Sequence, residues 1–241
     1  MHRVSTRLRW PNTRIRAHTH FAMTESVRLS SPAAERNRQP ILEVLRRVLP
    51  PSGRALEIAS GSGQHVSWFA RHLPAWTWQP TEYAAASLPS IAAWSVMDEG
   101  DVAESAASGA GAGPLANVLP PLQLDVCAPA WPVSGTFDAI TCANMIHASP
   151  PQTLPGLMQG AGRHLAPAGV LVTYGPYILD DEPLVASNVE FDAWLRTRDP
   201  SWGIRRLADV LAHARGAGLR LRERVAMPAN NFMLVFEREG V

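Results

Sequence analysis

Short apolar runs, bounded by glycine, proline or polar residues, alternate with amphipathic stretches over much of this chain. The runs predict strands at residues 54–59, 76–81, 122–124, 137–142 and 169–174, and the stretches predict helices at 33–49, 64–72, 88–96 and 153–165. Each run is almost continuously apolar, as buried parallel strands are, and the intervening helices supply right-handed crossovers. The pattern therefore predicts an α/β fold with a doubly wound sheet and helices on both faces.

The pattern changes in the C-terminal part of the chain. Residues 188–196 and 204–216 predict two more helices, whereas residues 219–225 and 232–236 alternate between apolar and polar side chains, as antiparallel strands do. The sequence MPANN at 227–231 joins these two strands. The predicted sheet is Rossmann-like, with seven mostly parallel strands and a C-terminal antiparallel hairpin.

Composition limits the classes of partner. A chain of 241 residues with 46% hydrophobic residues can bury one substantial core. Its net charge of +1 gives no electrostatic reason to expect nucleic acid or an anionic membrane as a partner. No run approaches the roughly 18 apolar residues that span a bilayer. Cys127 and Cys142 lie in apolar stretches, which is typical of reduced, buried thiols. We therefore expect a soluble, cytoplasmic protein.

Two segments are predicted to lie outside the folded core. Residues 1–30 are predicted to form a disordered N-terminal extension, because the first 22 residues carry five arginines and no acidic residue. An organelle transit peptide and an over-extended gene start before Met23 both explain this composition. Within the domain at 31–241, residues 98–117 are acidic and then rich in glycine, alanine and serine, which predicts a flexible surface insertion.

The loop after the first predicted strand is the sharpest local signal of a ligand site. Gly61 and Gly63 allow the backbone to approach a ligand at the carboxyl end of the sheet, although a tight turn that binds nothing has the same glycines. Glu57 lies inside the strand, where a carboxylate is costly unless it orders the loop or meets a cation such as the amino group of a methionine moiety. We include Ala59 and Ser60 of the same loop in the predicted site.

Carboxylates also follow the next two predicted strands. Glu82 ends the second strand about twenty residues beyond the glycines, where an acidic side chain accepts hydrogen bonds from ribose hydroxyls. Asp125 ends the third strand, where an adenine edge would lie. Alone, Glu82 could be a solvated strand end and Asp125 a turn residue. Val66 stands where a dinucleotide fingerprint needs its third glycine, which favours adenosylmethionine over a pyrophosphate-containing nicotinamide or flavin cofactor.

Several longer motifs carry a family resemblance. They are SPAAERN at 31–37, LEIASGSGQH at 56–65, WQPTE at 78–82, NMIH at 144–147, GPY at 175–177, SN at 187–188, FD at 191–192, WG at 202–203 and MPANN at 227–231. With them, residues 31–237 resemble the methyltransferase-like 26 family, also described as domain of unknown function 938.

The resemblance implies a class I methyltransferase fold that uses S-adenosylmethionine, a fold that ends in the predicted hairpin. It also implies a set of cofactor contacts at Glu57, Gly61, Gly63, Glu82, Asp125 and Asn144. Ala59 replaces the leading glycine of the common methyltransferase loop, although alanine is usual in this family. The insertion at 98–117 is longer than the family pattern.

Methyl transfer from a sulfonium is an in-line displacement that needs no metal, so the predicted site mainly aligns and shields the reactants. His147, shortly after the fourth strand, is the candidate general base, and a histidine packed against the Pro150-Pro151 turn is the alternative. Asn144 and the adjacent Met145 are placed at the cofactor, and the Asn144 amide could also meet a substrate amine.

Three residues outside the glycine loop itself complete the predicted cofactor set. Arg36 and Asn37 could cover the cofactor carboxylate, and an exposed charged turn is the alternative. His65 lies beside the glycine loop, although it could simply cap or pack the helix.

Aromatic and amide side chains of later segments are the candidate substrate contacts. Tyr174 and Tyr177 follow the fifth strand, and Trp202 and Asn230 lie in segments that could close over the site, although Trp202 and Phe191 could instead anchor the last helices in the core. The sequence thus predicts an S-adenosylmethionine-dependent methyltransferase acting on a small molecule. The alternative is a non-catalytic module that binds the cofactor or a protein partner.

Overall fold

The computed structural model describes residues 27–96 and 114–240. Most of the predicted N-terminal extension and most of the predicted insertion therefore lie outside the described residues. The helices are α1 (Pro32–Val48), α2 (Gln64–His72), α3 (Leu88–Trp94), α4 (Thr153–His164), α5 (Ala186–Arg198) and α6 (Leu207–Gly216). The strands are β1 (Gly53–Ile58), β2 (Trp76–Glu82), β3 (Leu122–Gln123), β4 (Phe137–Ala143), β5 (Leu165–Gly175), β6 (Leu219–Met227) and β7 (Asn231–Arg238).

The seven strands form one sheet in the order β3-β2-β1-β4-β5-β7-β6. Strands β1 to β5 pair in parallel, and β7 runs antiparallel between β5 and β6. The predicted sheet with a C-terminal hairpin is therefore confirmed. Because β1, β2, β3 and β4 are parallel neighbours, their carboxyl ends meet at one edge, which is where open α/β sheets bind ligands.

Apolar side chains bury both faces of the sheet. On one face, α1, α2 and α3 contribute Ile41, Leu42, Leu45, Val66, Phe69 and Ile91. On the other face, α4 and α6 contribute Leu154, Leu157, Met158, Val210 and Ala214. The helix predicted at 33–49 is present as α1; Ser31 Oγ caps its start by accepting a hydrogen bond from Ala34 N–H, and Pro32 occupies the first turn. Among the described helices, none is long and apolar enough to cross a membrane.

Two element boundaries differ from the sequence-based expectation by three residues or more. Strand β5 begins at Leu165, because Leu165 pairs with Phe137 across a register shift in β4. Helix α6 begins at Leu207 rather than at residue 204, because Leu207 N–H donates to Ile178 O and Ile178 N–H donates to Arg205 O. These bonds hold the preceding residues in an extended bridge, so they cannot join the helix.

The end of the predicted insertion is ordered. Asn117 Nδ2 donates to Ala70 O and Trp76 O, both at 3.0 Å, and Asn117 O accepts from Trp78 N–H. This residue therefore belongs to the packed edge of the sheet, whereas residues 97–113 lie outside the part of the chain that the structure describes.

Candidate functional site

A cleft with a volume of about 560 Å³ lies at the carboxyl ends of β1 to β4. Predicted site residues that line it are Ala59, Gly61, Glu82, Asp125, Asn144, Met145 and Trp202. The cleft is mostly apolar, and its polar groups come from the strand ends and from residues 149–153. A concave apolar site with a few converging polar groups is typical of small-molecule binding.

The two glycines of the first loop have different roles. Gly61 has a φ of +58° and lines the cleft, and a Cβ added to it would have Ala59 O, 4.0 Å away, as its nearest neighbour. Gly63 has a φ of +97° and does not line the cleft; a Cβ there would lie 2.7 Å from the Ile91 Cα of α3. Gly63 therefore packs closely where α2 meets α3, and its expected ligand contact stays a prediction.

Glu82 connects two loops at the cleft. Its Oε2 accepts a hydrogen bond of 2.9 Å from Gly61 N–H, and its Oε1 accepts one of 3.1 Å from Ala84 N–H. Each carboxylate oxygen has a further lone pair, and the side chain lines the cleft. The Glu82 carboxylate can therefore accept further hydrogen bonds from donors in the cleft.

Asp125 forms a turn at the adjacent wall of the cleft. Its Oδ1 accepts a hydrogen bond of 2.8 Å from Cys127 N–H, which is the turn geometry considered as the alternative for this residue, and Asp125 also lines the cleft. Cys127 is exposed at the same wall, so the expectation of a buried thiol is wrong there. Partial burial and Asp125 raise the Cys127 pKa. Cys142 is buried as expected, and burial raises its pKa to about 12.

Glu57 is a buried carboxyl directly below the glycine loop. Only 4% of the residue is exposed. Burial, together with the Glu82 charge, raises the pKa of Glu57 to about 7, and the nearby Ser60 hydroxyl opposes the increase. Among the described residues, Glu57 Oε2 and the buried Ser60 Oγ have no hydrogen-bond partner. Neither residue lines the main cleft, but two unpartnered buried groups beside it can receive a polar ligand.

The loop after β4 forms a second wall. Asn144 adopts a φ of +60°, its N–H donates to Tyr174 O at 2.7 Å, and it lines the cleft beside Met145. A left-handed conformation is accessible to asparagine at low cost and turns the chain sharply. The turn directs the following residues under the loop.

His147 lies under that loop and does not line the main cleft, where the sequence had led us to expect a base facing the ligand. The side chain is fully buried, packs edge-on against Tyr177 with ring centroids 5.1 Å apart, and accepts at Nδ1 from Arg205 N–H at 3.2 Å. Its carbonyl accepts from Gly203 N–H. Burial and the Arg205 charge lower the pKa of His147 to about 3. His147 therefore links the loop after β4 to the segment between α5 and α6.

The neutral state of His147 predicts acid sensitivity. Its folded pKa of about 3 lies below the unfolded value near 6.5, so the unfolded chain binds an extra proton between these values. Stability should fall as the pH drops below about 6.5, with a slope of up to about 1.4 kcal/mol per pH unit from this residue. The variant His147→Asn keeps an acceptor for Arg205 N–H but cannot titrate. Urea unfolding at pH 5 and pH 7 should show a smaller pH effect in the variant; equal effects contradict this assignment.

Arg36, Asn37 and His65 also lie outside the main cleft. Arg36 and Asn37 are in helix α1 and not in an exposed turn. His65 Nε2 and Asn37 Oδ1 are 2.7 Å apart, so the ring donates at Nε2, and burial lowers the pKa of His65 to about 4. Asn37 also hydrogen-bonds the Tyr174 side chain, which joins α1 to β5.

The predicted substrate residues are divided among three cavities. Trp202 lines the main cleft. Tyr174 lines a separate cavity of about 20 Å³ with Glu57 and His65. Tyr177 and Asn230 line a third cavity, of about 100 Å³. The Tyr177 hydroxyl is 2.8 Å from Thr173 Oγ1, and Asn230 O accepts from Asn188 Nδ2. The structure therefore does not bring these residues into one substrate pocket.

Several cleft residues were missed by the sequence analysis. They are Ile58, Tyr83, Leu124, Val126, Cys127, Ala143, Ala148, Ser149, Pro150, Gln152 and Thr153. Those next to Glu82 and Asp125 could have been found, because neighbours of a strand-end residue share its edge of the sheet. The positions of residues 148–153 depend on the path of the loop between β4 and α4. The sequence has no motif that predicts this path.

Solved structures share this fold at low sequence identity. Human N-acetylserotonin methyltransferase in complex with SAM is 12% identical, with a TM-score of 0.65 over 87% of this chain and 53% of that chain. An O-methyltransferase family protein from Burkholderia thailandensis is 15% identical, with a TM-score of 0.64 over 86% and 57%. The SAH-bound form of CalO1, a methyltransferase in calicheamicin biosynthesis, is 15% identical, with a TM-score of 0.62 over 86% and 55%.

This chain spans little more than half the length of each of these three structures, and the likeness establishes the Rossmann-like methyltransferase fold. A family defined by sequence matches more directly. The family described as protein of unknown function DUF938 matches residues 28–238, which is nearly the whole chain. This match confirms the resemblance to domain of unknown function 938 that was drawn from the motifs. The chain belongs to the DUF938 family.

Proposed function

We propose that this protein is an S-adenosylmethionine-dependent methyltransferase that acts on a small-molecule acceptor. The observation that carries the proposal is the Glu82 carboxylate, held by Gly61 N–H at the edge of an apolar cleft and available to ribose hydroxyls. Three structures of the same fold support it, because they are described as methyltransferases and two contain SAM or SAH. From the sequence motifs we also propose that the chain is related to the methyltransferase-like 26 proteins.

The residues at the cleft fit the two ends of this cofactor. Glu82, Asp125 and the apolar residues beside them suit the adenosine end. Glu57, a buried carboxyl beside the glycine loop, suits an ammonium group because a nearby cation would offset the cost of ionising it. Gly61 leaves space between these two ends. The cleft volume of about 560 Å³ falls within the usual range for a small-molecule site.

S-adenosylmethionine, when bound, supplies an electrophilic methyl group for in-line displacement. The protein's part is to hold both reactants and to exclude water. Asn144 and Met145 form the wall after β4, and Trp202 lines the cleft from the loop between α5 and α6. His147 lies outside this wall and is neutral, so we assign it a positioning role and no proton transfer.

A cofactor-binding module without catalysis remains the second candidate, because the three predicted substrate regions do not form one pocket. Incubation with methyl-labelled S-adenosylmethionine and a library of small molecules and proteins separates the two. Transfer of the label to an acceptor supports the methyltransferase. Saturable cofactor binding without any labelled acceptor supports the non-catalytic binding module.

Cofactor binding should release a proton from Glu57 below pH 7. The pKa of this carboxyl in the free protein is about 7, and an ammonium group beside it favours the ionised form. Affinity for S-adenosylhomocysteine should therefore fall about tenfold for each pH unit below 7 and level off above it. Titrations at pH 5.5, 6.5 and 7.5 measure this. Glu57→Gln should bind more weakly and without the pH dependence; a flat profile for the unaltered protein contradicts the assigned contact.

A further inference from the structure

A small cavity lies behind the glycine loop, between the sheet and α1. Its volume is about 20 Å³, and it is separate from the main cleft. Ile41, Leu45, Phe69, Val172 and Met233 form most of its apolar wall. One water molecule needs about 10–15 Å³ of such space, so the cavity has room for one water and no larger ligand.

Two polar side chains enter this apolar cavity from neighbouring strands. Glu57 of β1 and Thr141 of β4 are directly paired in parallel register, so their side chains project from the same face of the sheet. Both residues line the cavity, and they are 4% and 7% exposed. Within the described ranges, neither Glu57 Oε2 nor Thr141 Oγ1 has a hydrogen-bond partner. Two buried polar atoms without partners in one place are rare in native proteins.

Other titratable groups surround the same cavity. His65 of α2 and Tyr174 of β5 line it, and both contact Asn37, the former through Nε2. Since His65 donates at Nε2, its Nδ1 is the acceptor nitrogen of a neutral ring. Cys142 also lines the cavity as a protonated thiol, and Glu82 acts on Glu57 from β2 through its charge.

We propose that this cavity is a binding site for one buried water molecule, shared by Glu57 Oε2 and Thr141 Oγ1, and that Thr141 is a positioning residue for the Glu57 carboxyl. The water satisfies both oxygens, and an apolar cavity of this size is hydrated only when such polar partners are present. Because the Thr141 hydroxyl stabilises the ionised carboxylate through this water, Thr141 helps to set the pH at which Glu57 gives up its proton. The water site does not depend on the proposed function, whereas its effect on cofactor binding does.

The test is a carboxyl titration in the free protein. The Glu57 side-chain carbon is followed by NMR from pH 5 to pH 9 and assigned with Glu57→Gln. Thr141→Val removes the hydroxyl at nearly constant volume and should raise the pKa of Glu57 from about 7 to about 8. Thr141→Ser keeps the hydroxyl and should restore the original pKa. An unchanged pKa in Thr141→Val overturns the role of Thr141, even if the protein never binds S-adenosylhomocysteine.

A second measurement covers the case in which Thr141→Val does not fold. A high-resolution crystal structure of the unaltered protein should show one water within hydrogen-bond distance of Glu57 Oε2 and Thr141 Oγ1. A dry cavity overturns the water site. Thr173→Val is the matched control, because Thr173 is a buried neighbour on β5 whose hydroxyl contacts Tyr177 instead. It should leave the pKa of Glu57 unchanged, and a shift as large as that in Thr141→Val would contradict the proposal.

Discussion

Replacing Glu82 with alanine should weaken binding of S-adenosylhomocysteine on the order of 100-fold. The carboxylate is the proposed acceptor for two ribose hydroxyls, and a hydrogen bond to a charged group contributes about 1.5–3 kcal/mol. Loss of both bonds therefore costs about 3 kcal/mol or more, which corresponds to this change in Kd. Isothermal titration calorimetry measures the affinity, and circular dichroism checks the fold.

Two further variants make the Glu82 result interpretable. Glu82→Gln keeps the size of the side chain and one carbonyl oxygen, so its affinity should lie between those of Glu82→Ala and the unaltered protein. Glu223→Ala removes a carboxylate that pairs with Arg47 on the surface and does not line the cleft. Its affinity should stay unchanged. A folded Glu82→Ala protein with normal affinity would eliminate the ribose role.

Replacing Gly63 with alanine should lower the free energy of unfolding by about 3 kcal/mol. The residue has a φ of +97°, and a left-handed conformation costs a residue with a side chain roughly 1–2 kcal/mol. The new Cβ would also lie 2.7 Å from the Ile91 Cα. Because that atom is backbone, α2 and α3 must separate, and such overpacking costs about 1–3 kcal/mol. Urea denaturation measures the difference.

Two other glycines serve as controls for Gly63. Gly61→Ala has the same kind of strain but no close atom, so it should lose only about 1 kcal/mol of stability while weakening cofactor binding more strongly. Gly216→Ala, near the end of α6, meets no atom within 4 Å and should leave stability unchanged or slightly higher. Equal stability of the Gly61 and Gly63 variants would contradict the separate roles of the two glycines.

The fold was predictable because its signals are local. A short apolar run that ends in glycines suffices to predict β1, and apolar spacing with a serine cap and an early proline suffices for α1. The positions of the strand-end carboxylates were also predictable, because neighbouring parallel strands end at the same edge of the sheet. Glu82 and Asp125 therefore reach the cleft as expected.

The remaining site residues were not predictable from spacing alone. His147 is only three residues beyond Asn144, yet the left-handed turn at Asn144 and the Arg205 backbone place it under the loop. Gly63 looked like a ligand contact because the sequence does not show that α3 packs against it. Such positions depend on contacts between elements far apart in the chain, which periodicity does not encode.

Calorimetric titration of the unaltered protein with S-adenosylhomocysteine and, separately, with NADH tests the central claim most directly. The cleft with Glu82 at its ribose end, and with Val66 where a dinucleotide site needs glycine, predicts saturable heat with one S-adenosylhomocysteine per chain and no binding of NADH. Saturable binding of NADH together with no heat from S-adenosylhomocysteine would contradict it.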